Sequence, residues 1–324
     1  MNPNKRAWLV LAAFILVFMI IACSCGSLKP ASGTVPETST SNKGIQTDTG
    51  GSSPTDTITA SESENSTGAS SPTDTITASV SENSTEAPSI EQVPSQISIP
   101  AGKSGSASVP CPEGSLRLGG GFAAESGMKI TKSIPDTSGW LVSGTNSTAS
   151  PLPLNVYAVC LHNPSGTTKI VSAQVPVSGA PFARCQKGDL ITGGGYSDET
   201  GSLDVNISTP IGDSVDHNNA WSVMAKSSQN VDQPITVYAV CLSQSKLQSS
   251  LLRDEKVAYG KGNDALRFTY TCQGNSMMVS GGYEGTGAYT SRINPKNASQ
   301  WEVQVQGKFY YDGSLDHAVC LSLP

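Results

Sequence analysis

Within residues 96–324 one block occurs three times, and it constrains the fold more than anything else in the chain. A cysteine is followed ten positions later by the last glycine of a glycine run, then by an aromatic residue, a tryptophan and a hydrophobic run that ends in a second cysteine. The first copy is Cys111, Gly121-Phe122, Trp140 and Val156-Tyr157-Ala158-Val159-Cys160-Leu161. The second is Cys185, Gly195-Tyr196, Trp221 and Val237-Tyr238-Ala239-Val240-Cys241-Leu242, and the third Cys272, Gly282-Tyr283, Trp301 and His317-Ala318-Val319-Cys320-Leu321. Tryptophan and second cysteine lie 20, 20 and 19 residues apart, which marks duplications of one structural unit.

Inside each copy the pattern is that of strands. Leu203-Asp204-Val205-Asn206-Ile207-Ser208 alternates, as do Trp221-Ser222-Val223-Met224-Ala225 and Trp301-Glu302-Val303-Gln304-Val305-Gln306. The segment Leu154–Cys160 is apolar at nearly every position, which suits a central strand covered on both faces. The expected fold is all-β: three tandem disulfide-stapled antiparallel β repeats (96–168, 169–250 and 251–324), each of four to five strands. Three copies joined by short connections suit a closed pseudo-threefold, β-prism-like arrangement. The alternative is three separate small β-modules in a row.

Six cysteines, two per repeat, accompany this pattern. Pairing in register gives Cys111–Cys160, Cys185–Cys241 and Cys272–Cys320; a frame-shifted set, Cys160–Cys185, Cys241–Cys272 and Cys111–Cys320, respects the repeat equally. Zinc is disfavoured, because no Cys-x-x-Cys pair exists and His162, His217 and His317 are not at equivalent positions. The acidic residues Asp198, Glu199, Asp204, Asp213 and Asp216 have no counterparts in the first repeat and read as solvated loop rather than a calcium site. The runs Gly119-Gly120-Gly121, Gly193-Gly194-Gly195 and Gly281-Gly282 lack the Lys and Ser/Thr of a phosphate loop and read as bulges or close backbone approaches. Two readings stand for the repeated aromatics Phe122, Tyr196, Tyr283, Trp140, Trp221 and Trp301: core packing, or a platform on which a sugar ring stacks. No catalytic constellation is visible, so neither an enzyme nor a cofactor is expected.

The N-terminus sets a location. Lys5 and Arg6 precede 15 apolar residues, Ala7–Ile21, the layout of a secretory signal peptide (residues 1–22) and short for a membrane span. Ile20-Ile21-Ala22-Cys23 resembles the lipobox of bacterial lipoproteins. That resemblance implies cleavage before Cys23, lipidation of its sulfur and anchoring to a lipid bilayer on the extracytoplasmic face of the cell membrane. The alternative is a single uncleaved N-terminal transmembrane helix. Residues 23–95 read as a disordered linker: from Gly26 to Ser95 there is no aromatic residue, and 29 of 70 residues are Ser or Thr. An 18-residue unit is duplicated there, Ser52–Ala60 recurring as Ser70–Ala78, and the sequons at Asn65 and Asn83 fall within it.

The linker carries nine acidic and two basic residues, leaving residues 96–324 nearly neutral with 16 basic and 17 acidic, so a nucleic-acid partner is not expected. The repeats resemble Cys/Gly-Gly-Gly/Trp/Tyr-Ala-Val-Cys units of secreted bacterial surface proteins, a likeness that implies surface exposure and no particular activity. The expected function is a non-enzymatic surface display or binding lipoprotein, with a glycan, cell-wall polymer or surface protein as partner and each repeat offering a weak site. The alternatives are a structural cell-envelope protein without a ligand and, more remotely, a secreted enzyme.

Overall fold

Among the described residues each repeat holds six strands, one or two more than the alternation of its apolar residues suggests. The computed structural model describes residues 75–76, 87–164, 166–179, 181–212, 219–229, 231–243, 247–252, 265–307 and 318–323. All of these lie in the compact unit Ser66–Pro324; the unit Met1–Asn65, with the expected signal peptide, Cys23, Cys25 and Asn65, lies outside the described residues, as does Asn83. A two-residue strand β1 (Thr75–Ile76) comes first. The first repeat holds β2 (Ser89–Ile99), β3 (Ser104–Pro110), β4 (Leu116–Ala124), β5 (Met128–Pro135), β6 (Gly139–Asn146) and β7 (Leu152–His162). The second holds β8 (Thr167–Pro176), β9 (Phe182–Arg184), β10 (Leu190–Ser197), β11 (Leu203–Ile211), β12 (Ala220–Ser227) and β13 (Pro234–Ser243). The third holds β14 (Gln248–Leu252), β15 (Ala265–Thr271), β16 (Ser276–Gly281) continued after Gly282 by β17 (Tyr283–Glu284), β18 (Ala288–Asn294), β19 (Asn297–Gln306) and β20 (Ala318–Ser322).

Within every repeat the first, sixth and third strands form one set, β2-β7-β4, β8-β13-β10 and β14-β20-β16, and the fourth, fifth and second form another, β5-β6-β3, β11-β12-β9 and β18-β19-β15. The sets are joined antiparallel across repeats. In β4 and β18 Phe122 faces Ser291, in β10 and β5 Tyr196 faces Ser133, and in β17 and β11 Tyr283 faces Ser208. Pairing thus runs from the first repeat to the second, from the second to the third, and from the third back to the first.

The apolar run Leu154–Cys160 lies in β7, which pairs with β2 on one side and β4 on the other, and Leu154, Val156, Ala158 and Cys160 are fully buried. The disulfides are Cys111–Cys160, Cys185–Cys241 and Cys272–Cys320, with Cα–Cα distances of 5.7, 5.5 and 5.7 Å. In each case the first cysteine directly follows the second strand of its repeat and the other lies in the sixth, so the bond staples the two strand sets together.

The glycine runs sit at bulges. Register slips at Arg117/Gly119, Ile191/Gly193 and Met278/Ser280, just where each run or its serine counterpart begins. The next two positions are glycine because a Cβ has no room. At Gly120, Gly194 and Gly281 it would lie closer than 3.0 Å to the indoles of Trp140, Trp221 and Trp301. At Gly121, Gly195 and Gly282 it would lie closer than 3.0 Å to the carbonyl oxygens of Ser291, Ser133 and Ser208 in the neighbouring repeat. The requirement is missing volume, not a left-handed backbone.

Two segments assigned to the linker are strands. Ser89–Ser95 pairs with β7, because Ile90, Val93 and Ile97 pack against the core; the first repeat therefore begins seven residues before Gln96. Thr75–Ile76, inside the second copy of the 18-residue unit, pairs with Lys169 and Thr168 on the free edge of β8. Among the described residues no helix is long and apolar enough to cross a membrane.

Candidate functional site

The repeated aromatics face inward. Trp140, Trp221, Trp301, Phe122, Tyr196 and Tyr283 are each at most 3% exposed, so the sugar-stacking platform is corrected: none offers an open ring face. Each indole Nε1–H donates to a serine hydroxyl, Trp140 to Ser133 at 3.0 Å, Trp221 to Ser208 at 3.0 Å and Trp301 to Ser291 at 3.1 Å. These are the serines whose carbonyls crowd the glycines. One residue therefore anchors its own repeat's tryptophan and receives the neighbour's backbone. The serines escaped notice in the sequence, although Ser133-Ile134-Pro135 and Ser208-Thr209-Pro210 share a Ser-x-Pro signature.

The three aromatics that follow the glycines meet one another. Phe122 and Tyr283 pack edge to face, with centroids 6.2 Å apart and planes at 82°. The Tyr283 hydroxyl donates to Tyr196 Oη at 2.9 Å, and the Tyr196 hydroxyl donates to the Ile130 carbonyl at 3.3 Å. Burial holds both phenols well above their ordinary value of 10.0, so they stay protonated and act through hydrogen bonds.

Tyr196 and Tyr283 also line a pocket of about 290 Å3 built by all three repeats. Its walls are the segments Met128-Lys129-Ile130, Leu203-Asp204-Val205 and Thr286-Gly287-Ala288, with Tyr289, Gln306 and Ser147 beside them. The segments occupy matching registers. Lys129 faces Thr145, Asp204 faces Lys226, and Gly287 accepts from the Gln306 amide, each partner lying five residues after its tryptophan. The next wall position is Ile130, Val205 and Ala288, followed in each repeat by a bulge that extrudes Thr131, Asn206 and Tyr289.

Equivalent positions thus carry different chemistry. Lys129 Nζ and Asp204 Oδ1 form an ion pair 3.1 Å long across the first two repeats, with side chains 37% and 59% exposed. The third position, Gly287, has no side chain and a φ of 64°. One side of the rim is charged and bridged; the other carries the uncharged Gln306, whose Oε1 accepts from Ser126 Oγ at 3.3 Å.

The remaining candidates have structural partners. Asp198 accepts from the amides of Thr200 and Gly201 at 3.0 Å and of Leu203 at 2.8 Å, shaping the turn into β11. Glu199 pairs with Lys132, and the hydrogen bonds from Lys132 and Ser197 hold its carboxyl below the usual range. Asp213, Asp216, His217 and His317 lie outside the described residues, among which no group of three or more His, Cys, Asp or Glu is placed to hold a metal. His162 bridges Ser115 at 2.9 Å and Glu91 at 2.7 Å. Arg117 stands opposite Cys160 where the other repeats place Ile191 and Met278 opposite Cys241 and Cys320. Its Nη1 donates to the Asp136 carbonyl, its Nε and Nη2 have no hydrogen-bond partner among the described residues, and burial lowers its pKa to about 10. Compared with protein-family models and with curated proteins, the chain matches none.

Proposed function

We propose that this chain is a non-enzymatic binding protein of the extracytoplasmic membrane face, anchored through lipid on Cys23 and specific for a carbohydrate or cell-wall polymer. Its three β repeats close about a pseudo-threefold axis in the manner of a β-prism. The cyclic strand pairing supports that closure over three modules in a row, since each repeat completes the sheets of its two neighbours. We read the Ser/Thr-rich residues 26–74 as a spacer, about 49 residues of coil having a reach of roughly 35–42 Å.

The observation that carries the binding reading is the pocket shared by the three repeats, where apolar walls converge on phenol, amide, ammonium and carboxylate groups. The test is the full chain, extracted in detergent, probed on an array of glycans and cell-wall polymers beside the same chain reduced and unfolded. Binding by the folded chain alone is expected. Binding that persists after unfolding, or to nothing, leaves a structural envelope protein. An unmodified Met1 and no acyl mass on Cys23 in mass spectra of the membrane form would remove the anchor.

A further inference from the structure

We infer that the shared pocket takes one uncharged pyranose ring per chain, with Asp204, Lys129 and Tyr289 selecting it. This rests on the carbohydrate-binding reading and narrows it from three weak sites to one. A volume of about 290 Å3 sits just below the range of about 300–1,000 Å3 usual for ligand pockets, which suits a single ring. The walls of Ile130, Val205 and Ala288 are apolar and offer surface to ring C–H groups.

Polar groups lie at both ends. Below, the hydrogen bonds run in one direction, Tyr283 to Tyr196 to the Ile130 carbonyl, so the lone pairs of Tyr283 Oη head the chain and can accept from a hydroxyl. Above, the ammonium and carboxylate 3.1 Å apart match the donor and acceptor needs of two adjacent ring hydroxyls. Within the lining the two charges cancel and the phenols are neutral, so the lining carries no net charge with which to draw a uronate or a phosphate. On the third side of the rim, where Gly287 has no side chain and Gln306 is uncharged, the half-buried Tyr289, extruded by its bulge, gives the ring a face to stack on.

The test titrates the full chain in detergent with glucose, galactose, mannose, N-acetylglucosamine, glucuronate and inorganic phosphate by calorimetry, while the polymer array runs in parallel. At least one neutral sugar is expected to bind once per chain, with a Kd of about a millimolar for so small a ligand. Asp204→Ala and Tyr289→Ala should each weaken it about tenfold with the melting temperature held, while Tyr289→Phe, which keeps the ring, should bind as the parent does. Three sites per chain, affinity indifferent to both alanine variants, or preference for glucuronate or phosphate overturns the inference. Polymer binding without any monosaccharide binding overturns it too and leaves the broader reading standing; no binding to either removes both.

Discussion

Gly195→Ala isolates the contact that joins repeats. The new Cβ would sit closer than 3.0 Å to the Ser133 carbonyl oxygen, which is backbone and held by its own strand, so β10 and β5 must part. Only two residue pairs link these strands, Tyr196 with Ser133 and Ser197 with Lys132, and the displaced Ser133 is also the acceptor for Trp140. Overpacking costs about 1–3 kcal/mol and each weakened hydrogen bond about 1 kcal/mol, so the expected loss is about 3–5 kcal/mol. The control is Gly114→Ala, at a turn with a φ of 79° and nothing within 4 Å of the added carbon, where backbone strain alone costs about 1–2 kcal/mol. Urea unfolding of the oxidised full chain, followed by tryptophan fluorescence, reads both. Gly121→Ala and Gly282→Ala should match Gly195→Ala, because they meet the equivalent carbonyls of Ser291 and Ser208. A Gly195→Ala loss no larger than that of Gly114→Ala refutes the argument that close backbone approach dictates these glycines.

Trp221→Phe should cost about 1–3 kcal/mol in the same assay by stranding the buried Ser208 hydroxyl, and Ser208→Ala in that background should recover part of it. Removing Cys272–Cys320, which spans 48 residues, should cost about 4 kcal/mol in the chain-entropy model. Arg117→Met, importing the third repeat's residue, should stabilise by about 1–3 kcal/mol by removing two unpartnered buried nitrogens, read as a higher urea midpoint. Raised folded pKa values at Tyr196 and Tyr283 leave their contribution intact below the ordinary 10.0 and remove it as pH rises above that value, while the lowered value of Arg117 acts in the opposite sense above about 10. The alkaline fall in stability should therefore shrink in Tyr196→Phe and steepen in Arg117→Met, as urea midpoints measured from pH 8 upward would show.

The strands and the glycine bulges were legible because they leave local traces: alternation, apolar runs, and glycine at a fixed distance from cysteine. The pairing between repeats was not, since alternation in β5 says which face is buried and nothing about which strand lies beside it. The serines under the tryptophans were overlooked because serine is ordinary surface composition, and only the indole at 3.0 Å gives Ser133 a role. The pocket was hidden by loop length. The turns between the third and fourth strands span residues 125–127, 198–202 and 285–287, so Lys129, Asp204 and Gly287 fall 8, 9 and 5 positions after their glycines, and no fixed spacing reveals that they share a register.

That concealment follows from how a duplicated fold can diversify. Where repeats touch one another, a change in one copy must be met by its neighbour, so glycine, tryptophan and serine recur in all three junctions. Where the chain faces a cavity there is no such partner. At the aromatic trio the constraint is already looser: Phe122 fills its place by an edge-to-face contact, while Tyr196 and Tyr283 add a hydrogen bond that the first repeat cannot make. One step further out it vanishes, and the same register position holds a cation, an anion and a glycine. The Lys129–Asp204 bridge depends on that inequality, since three lysines or three aspartates at one rim would repel. Likeness at the junctions and difference at the rim are therefore consequences of one rule, that a residue is held fixed by the neighbours it must fit.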